Sequence, residues 1–209
     1  MLQWKGDTHS LIRKIIIIPS IDFVLGRTSF IGGDHAVTGP VLRALAPRHE
    51  GLTILHVDAH PDLYDSFDGN PLSHASPFAR IMEQGLAKRL VQVGIRTLNP
   101  HQREQVARFG VECIEMRHRS PMDALVLDGP LYVSIDLDGL DPAHAPGVSH
   151  PEPGGLTTRD VIDLLHGITG DVVGADVVEY NPQRDVHDLT AHVAAKLVKE
   201  IVGAMAAAK

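Results

Sequence analysis

Residues 53–62 read Thr-Ile-Leu-His-Val-Asp-Ala-His-Pro-Asp, an apolar run that ends abruptly in carboxylates and an imidazole. The run is β-branched and too short for a helix, so it is expected to be a strand buried on both faces. Side chains of an extended backbone alternate between faces, which would put Asp58, His60 and Asp62 together at the strand's carboxyl end. Residues 131–138, Leu-Tyr-Val-Ser-Ile-Asp-Leu-Asp, repeat the arrangement with Asp136 and Asp138. Gly32-Gly-Asp-His35 and Asp176-Val-Val-Glu179 add further polar groups at the ends of short apolar stretches. So many acids at one place would repel each other unless cations lay among them. The pattern therefore predicts two hard divalent ions, and with them water activated for hydrolysis.

Outward from that stretch, strand patterns cover Thr53–Val57, Arg89–Ile95, Val111–Ile114, Leu131–Ile135 and Asp171–Val178. Helical patterns fall between and after them, over Ala36–Arg48, Ser76–Lys88, Pro100–Phe109, Thr158–Gly167 and Leu189–Ala208. The alternation is that of an α/β protein, a three-layer fold with a mostly parallel β-sheet and helices on both faces. Thr158 and Asp188 read as helix N-caps. Leu189, Val193, Leu197, Ile201 and Met205 recur every four residues, so the last helix should dock one face on the sheet. The loops after the strands, 65–71, 138–155 and 181–188, are rich in Gly, Pro and Asp. Open parallel sheets bind ligands at such carboxyl-end loops, where strand order reverses.

Composition bounds the rest. At 209 residues with 44% hydrophobic content the chain can bury a core of its own. A formal charge of −7 without a compensating Lys/Arg block argues against nucleic acid or an anionic membrane as partner. The apolar run Ile15–Ile18, stopped by Pro19, is far too short to span a bilayer and lacks the features of a secretion signal. One cysteine, Cys113, excludes an internal disulfide and fits a reducing, cytoplasmic setting. It is expected to be a small residue of a buried strand, not a nucleophile.

Each motif has an ordinary explanation. A lone Asp-x-His is usually a solvated loop or a cap, and the Asp-Gly and Asp-Pro steps after Asp138 are turn formers. Turn chemistry explains Asp141 well and Asp136 poorly, because a carboxylate at the end of a buried strand is costly without a partner. Two such clusters with Gly-Gly-Asp-His make a metal site the better reading. Oxygen-rich ligands with imidazole and no thiolate suit Mn²⁺ or a similar hard ion over structural zinc. Glu179 and His74, taken alone, would pass as solvated residues. His144 reads as packing at a pocket edge, and His118, His166, His187 and His192 as surface or interface residues. Tyr64, Asn70, Asn99 and Asn181 are candidates to line the pocket.

The stretches Gly-Gly-Asp-His (32–35), Asp-Ala-His-Pro-Asp (58–62), Ser-Ile-Asp-Leu-Asp-Gly-Leu-Asp-Pro-Ala-His-Ala-Pro-Gly (134–147) and Asp-Val-Val-Glu-Tyr-Asn-Pro (176–182) closely resemble the ureohydrolases, the arginase and agmatinase family. Residues 70–85, 91–96 and 147–155 are similar to the plant-type arginases. The resemblance implies that His35, Asp58, Asp62 and Asp136 hold one Mn²⁺, and Asp58, His60, Asp136 and Asp138 the other, two per chain. It also implies that Asp62 hydrogen-bonds the reacting water, that Glu179 accepts the substrate's guanidinium, and that His74 passes a proton to the departing amine. Asn70 and Ser73 are candidates to receive the α-carboxylate of arginine. The implied reaction is cleavage of L-arginine to urea and L-ornithine, with agmatine (to urea and putrescine) as the rival substrate. The implied assembly is a homo-oligomer, a trimer or hexamer. The family's domain is longer than this chain and begins its match here near Ile31, so 1–30 is set apart as an atypical segment and 31–209 as a shortened domain. That shortening leaves a second expectation open, a non-catalytic metal-binding remnant. A related amide hydrolase of the deacetylase type fits less well, because the bridging carboxylates and Glu179 point to two ions and a guanidinium.

Overall fold

The computed structural model describes residues 16–19, 27–118 and 125–207. Its strands are β1 (Ile16–Pro19), β2 (Thr28–Ile31), β3 (Thr53–Val57), β4 (Arg89–Ile95), β5 (Glu112–Glu115), β6 (Pro130–Asp136) and β7 (Asp171–Val178). Its α-helices are α1 (Thr38–Leu45), α2 (Pro77–Glu83), α3 (Pro100–Phe109), α4 (Thr158–His166) and α5 (Leu189–Ala207). The strands form one sheet in the order β1-β2-β7-β6-β3-β4-β5. All neighbours pair in parallel except β1, which runs antiparallel to β2 at the edge. From β3 the chain builds outward through β4 to β5, then returns to lay β6 on the other side of β3. The reversal of strand order therefore falls between β3 and β6.

Residues 53–57 are buried throughout, as a strand covered on both faces must be. Alternation divides its side chains between two cores. Leu55 and Val57 join Val133, Ile135, Val161, Leu165 and Leu197 beneath α4 and α5. Ile54 joins Leu42, Phe78, Leu90 and Tyr132 beneath α1 and α2. The result is the three-layer arrangement expected from the sequence. In α5, Val193, Leu197, Ile201 and Met205 face the sheet, while Leu189 is exposed at the helix's first residue.

Several boundaries differ from the sequence reading. Strands β1 and β2 were not expected, and both fall inside or at the end of the segment set apart at 1–30. Most of that segment, and residue 208 of the last helix, lie outside the described residues. The helix expected over Ala36–Arg48 is a composite, with 3-10 turns at His35–Val37 and Ala46–Arg48 flanking α1. Helix α2 ends at Glu83, five residues early, where Gly85 takes a φ of 62°. Helix α4 is capped by Thr157, not Thr158: its hydroxyl accepts from Asp160 N while the Asp160 carboxylate accepts from Thr157 N, a capping box. At the start of α5 the capping carboxylate is Asp185, which accepts from Thr190 N and Ala191 N, in place of Asp188. Cys113 lies on the edge strand β5 and is only partly buried. Burial, with Glu115 alongside, still pushes its thiol up to about 12, so it is not a nucleophile at neutral pH.

Candidate metal centre

The sheet register aligns the ends of the strands that carry polar groups. Val57 pairs with Ile135, so Asp58 and Asp136 leave β3 and β6 side by side at the reversal point. Asp136 pairs with Val178 and Ile31 with Val177, which brings Glu179 and the Gly32–His35 segment to the same edge.

Beyond that point the mechanism of convergence is not simple strand alternation. Strand β3 stops at Val57, and Asp62 sits in the left-handed region with φ 51°. Strand β6 gives way to a 3-10 turn over Leu137–Gly139, in which Asp136 Oδ1 accepts from Asp138 N at 2.8 Å. Turns converge these side chains because they reverse direction within a few residues, where continued strand would carry alternate groups about 7 Å apart. Two glycines let the backbones approach. A Cβ at Gly139 would lie 2.8 Å from Asp58 N, and one at Gly94, where φ is 96°, would lie 2.8 Å from Asp58 O.

The resulting geometry centres on two imidazoles. His35 Nδ1 lies 3.3 Å from Asp58 Oδ2, 3.1 Å from Asp62 Oδ2 and 3.3 Å from Asp136 Oδ2. His60 Nδ1 lies 3.4 Å from Asp58 Oδ1 and 3.2 Å from Asp138 Oδ2. Asp58 thus turns one oxygen toward each imidazole, the disposition of a carboxylate shared by two cations. His35 Nδ1 is fully buried and makes no hydrogen bond, although three carboxylate oxygens surround it. Its other nitrogen explains why. Ser134 Oγ donates to Asp176 Oδ1 at 2.6 Å, so the serine is left to accept from His35 Nε2–H at 2.9 Å. Tyr132 OH and Thr38 Oγ1 donate to the other Asp176 oxygen, holding this buried carboxylate in place. With Nε2–H committed to Ser134, Nδ1 is left to face the carboxylates. Burial opposes charge on the ring, but Asp136, Asp58 and Asp62 outweigh it and raise His35 well above the ordinary imidazole range, so that a proton stands where a cation would.

Electrostatics give the same result. Burial, and then repulsion from Asp58, raises Asp62 to about 8 and Asp138 to about 6. Asp136 is driven well up by burial and by Asp138 and Asp58. Glu179 is raised to about 7, chiefly by burial. For His60, burial opposes charge, but Asp138 and Asp58 outweigh it and push the ring up to about 11. The cluster thus draws protons because it lacks enough positive charge, and no Lys or Arg lines the cavity among the described residues. An orphaned imidazole nitrogen among carboxylate oxygens is a donor set that fits hard divalent cations.

A cavity of about 190 Å³ opens over this centre, lined in part by His60, Asp62, Asp136, Asp138, Glu179 and His74. Glu179, with φ 66°, is fixed by its own N–H to Gly33 O (2.7 Å) and by a bond from His35 N to its Oε1 (2.8 Å). Tyr64 also lines the cavity; Asn70 and Ser73 do not. The Asn70 side chain accepts from Leu72 N in its own turn, and the Ser73 hydroxyl bonds Ser76, so the expectation that they receive a substrate carboxylate gains no support. Asn99 caps α3 and donates to Tyr64 OH, while Asn181 bonds Ser149. His144 stays at the edge, 3.5 Å from Thr158 Oγ1.

Sequence reasoning missed His150, Phe67, Thr97 and Gln102 in the lining. The His150 ring lies parallel to His74 at 5.4 Å and meets His60 edge-on at 6.3 Å. A lone histidine between Ser and Pro carried no periodic signal. Arg96 was also missed. Its guanidinium donates to the carbonyls of Gly94, Asp138, Gly139, Leu140 and Glu152, tying together the loops around the site.

A parallel α/β sheet whose reversal point gathers buried carboxylates and imidazoles defines the class, an α/β protein with a candidate cation site. Comparison with known sequences narrows the class: a profile of the arginase family matches residues 24–203, and the chain belongs to that family. It is 58% identical over 184 residues to "Arginase 1, mitochondrial" of Arabidopsis thaliana, covering 84% of this chain and 54% of that protein. It is 36% identical to the agmatinase of Bacillus anthracis, covering 82% of this chain and 61% of that protein. The solved arginase of Medicago truncatula superposes with a TM-score of 0.81 at 56% identity, over 84% of this chain and 58% of that one. The chain therefore spans a little over half the length of these relatives. Among the described residues no helix is long and apolar enough to cross a membrane.

Proposed function

We propose that the chain carries the catalytic centre of a binuclear manganese hydrolase that cleaves the guanidino group of L-arginine to urea and L-ornithine. The observation that carries this reading is the unpartnered His35 Nδ1 facing Asp58, Asp62 and Asp136, with His60 and Asp138 across Asp58. In this reading His35, Asp58, Asp62 and Asp136 hold one cation, and Asp58, His60, Asp136 and Asp138 the other. When bound, such ions supply the Lewis acidity that makes water a nucleophile near neutral pH.

The chain's own residues do the rest. Asp62 orients the attacking water through its carboxylate. Glu179 receives the planar guanidinium, whose fixed donors match a carboxylate. His74, at the cavity wall, delivers a proton to the leaving amine, a role suited to an imidazole. The higher identity to plant arginases than to the agmatinase supports L-arginine over agmatine as substrate. The sequence resemblance supports a homo-oligomer, trimeric or hexameric, and the single Cys113 supports a reducing compartment such as the cytoplasm.

The test is urea release from L-arginine and from agmatine by manganese-loaded protein, with metal counted per chain. Two ions and faster release from arginine are expected. Faster release from agmatine would reassign the substrate. Two bound ions with no urea from either would leave a non-catalytic metal-binding protein, and no bound ion would end the reading.

A further inference from the structure

On the face of the sheet covered by α1 and α2, polar side chains are buried near the carboxyl ends of the strands. Beneath α1 and α2, alternation places His56 of β3 and Gln92 of β4 in one stratum, directly above Ile54 and Leu90. Both are fully buried, and neither lines the cavity. Polar groups placed there need a reason, since burial without partners is costly.

Their hydrogen bonds have only one consistent assignment. The terminal nitrogen of Gln92 lies 2.6 Å from Pro61 O and 3.0 Å from His56 Nδ1. A carbonyl oxygen can only accept, so the Gln92 atom beside it must be the NH₂ group and not the amide oxygen. An amide NH₂ has no lone pair to offer, so His56 Nδ1 must be the unprotonated, accepting nitrogen. The ring proton is therefore on Nε2, which lies 2.7 Å from Asp58 Oδ2 and donates to it. The ring is held in plane by Phe78, stacked at 3.9 Å and 28°. His56 lies close enough to His35 and Asp58 to be taken for a ligand. With one nitrogen donating and the other accepting, it has no lone pair left for a cation.

We propose that His56 and Gln92 are a positioning pair: Gln92 sets the His56 tautomer, and His56 sets the rotamer of Asp58 so that its two oxygens face the two cation sites. Gln92 acts on both sides of the ligand loop at once, since the same NH₂ group grips Pro61, whose neighbours are His60 and Asp62. One amide on β4 thereby braces a loop that supplies three metal ligands. This inference rests on the two-cation reading above and adds residues that touch neither metal nor substrate.

The experiment measures Mn²⁺ binding to the full chain by calorimetry, and the exchange-coupled two-manganese signal by electron paramagnetic resonance. His56→Phe keeps the ring stack on Phe78 but cannot donate. His56→Gln places an amide N–H near the position of Nε2. Gln92→Glu keeps shape but removes the donor that selects the tautomer. Folding of each is checked by circular dichroism. Outer-sphere partners of metal ligands are worth about 10–100-fold in affinity. His56→Phe and Gln92→Glu should therefore weaken manganese binding about tenfold or more and reduce the coupled signal, while His56→Gln recovers most of both. If the parent binds two ions and His56→Phe binds them as tightly with the same spectrum, the inference fails and the metal reading stands. If His56→Gln is as impaired as His56→Phe, the ring is merely structural and the inference also fails. A parent that binds no manganese sinks both.

Discussion

Glu179 shows how much of the site is held in single residues. Its backbone sits at φ 66°, a conformation that costs a non-glycine residue about 1–3 kcal/mol, and it is retained by bonds to Gly33 and His35. Changing Glu179 to Gln preserves the oxygen that accepts from His35 and removes only the charge. In the proposed role the substitution should lower kcat/KM for a guanidino substrate by about 2–5 kcal/mol, roughly thirtyfold or more, as for truncation of a buried charge pair. Manganese stoichiometry should stay unchanged, and unaltered kcat/KM would remove Glu179 from the substrate site. The sequence marked this carboxylate only through family resemblance, because a lone glutamate after a strand has no distinctive spacing. His56 was passed over as part of the apolar run before Asp58, although it continues the alternation of Asp58, His60 and Asp62. Its partner on β4 is 36 residues away in sequence, which no local pattern connects.

At the scale of elements, the site depends on close approach between the ends of β3, β4 and β6. Gly139 faces the backbone of Asp58 without room for a methyl group, and the obstacle is main chain, which cannot rotate away. Gly139→Ala should therefore cost roughly 1–3 kcal/mol, the usual penalty of overpacking. It should also loosen manganese binding, because the displaced strand end carries Asp58. A thermal melt with and without Mn²⁺ checks both, and an unshifted midpoint in each would contradict the packing argument. Strand and helix periodicity was legible at this scale, and α3 matches its expected bounds of Pro100–Phe109. The turns were not. Alternation suggested that extended backbone gathers the acids and imidazoles, whereas a left-handed Asp62 and the 3-10 turn Leu137–Gly139 bring them together. Hydrophobic pattern reports which face of an element is buried, but not where the chain leaves that element.

Across the whole molecule, the carboxylate cluster is expected to make stability depend on pH and, in the proposed reading, on metal. Without cations, Asp138, Glu179 and Asp62 are raised to about 6, 7 and 8 in the folded chain. Each exceeds the ordinary carboxylate value of about 4, and His60 at about 11 exceeds the ordinary imidazole value of about 6.5. Through this window the folded state holds more protons than the unfolded state, so stability falls as pH rises. The melting temperature of metal-free protein is expected to drop steadily from pH 5 to 9. Added Mn²⁺ should raise it, and by more at pH 9, where fewer protons compete for the ligands. A metal-free midpoint that is flat or rising over that range would show that the acids are not in one cluster. The sequence alone determined the α/β class, the strand ends as the place where acids and imidazoles gather, and the donor types offered there, because burial and donor chemistry are properties of residue type and short-range period. Tertiary structure decided which oxygen faces which imidazole, that Asn70 and Ser73 stay outside the cavity, and that His150, Arg96 and Gln92 belong to the site's surroundings. Those outcomes depend on register and on the path of turns, which are set only when strands distant in the chain lie side by side.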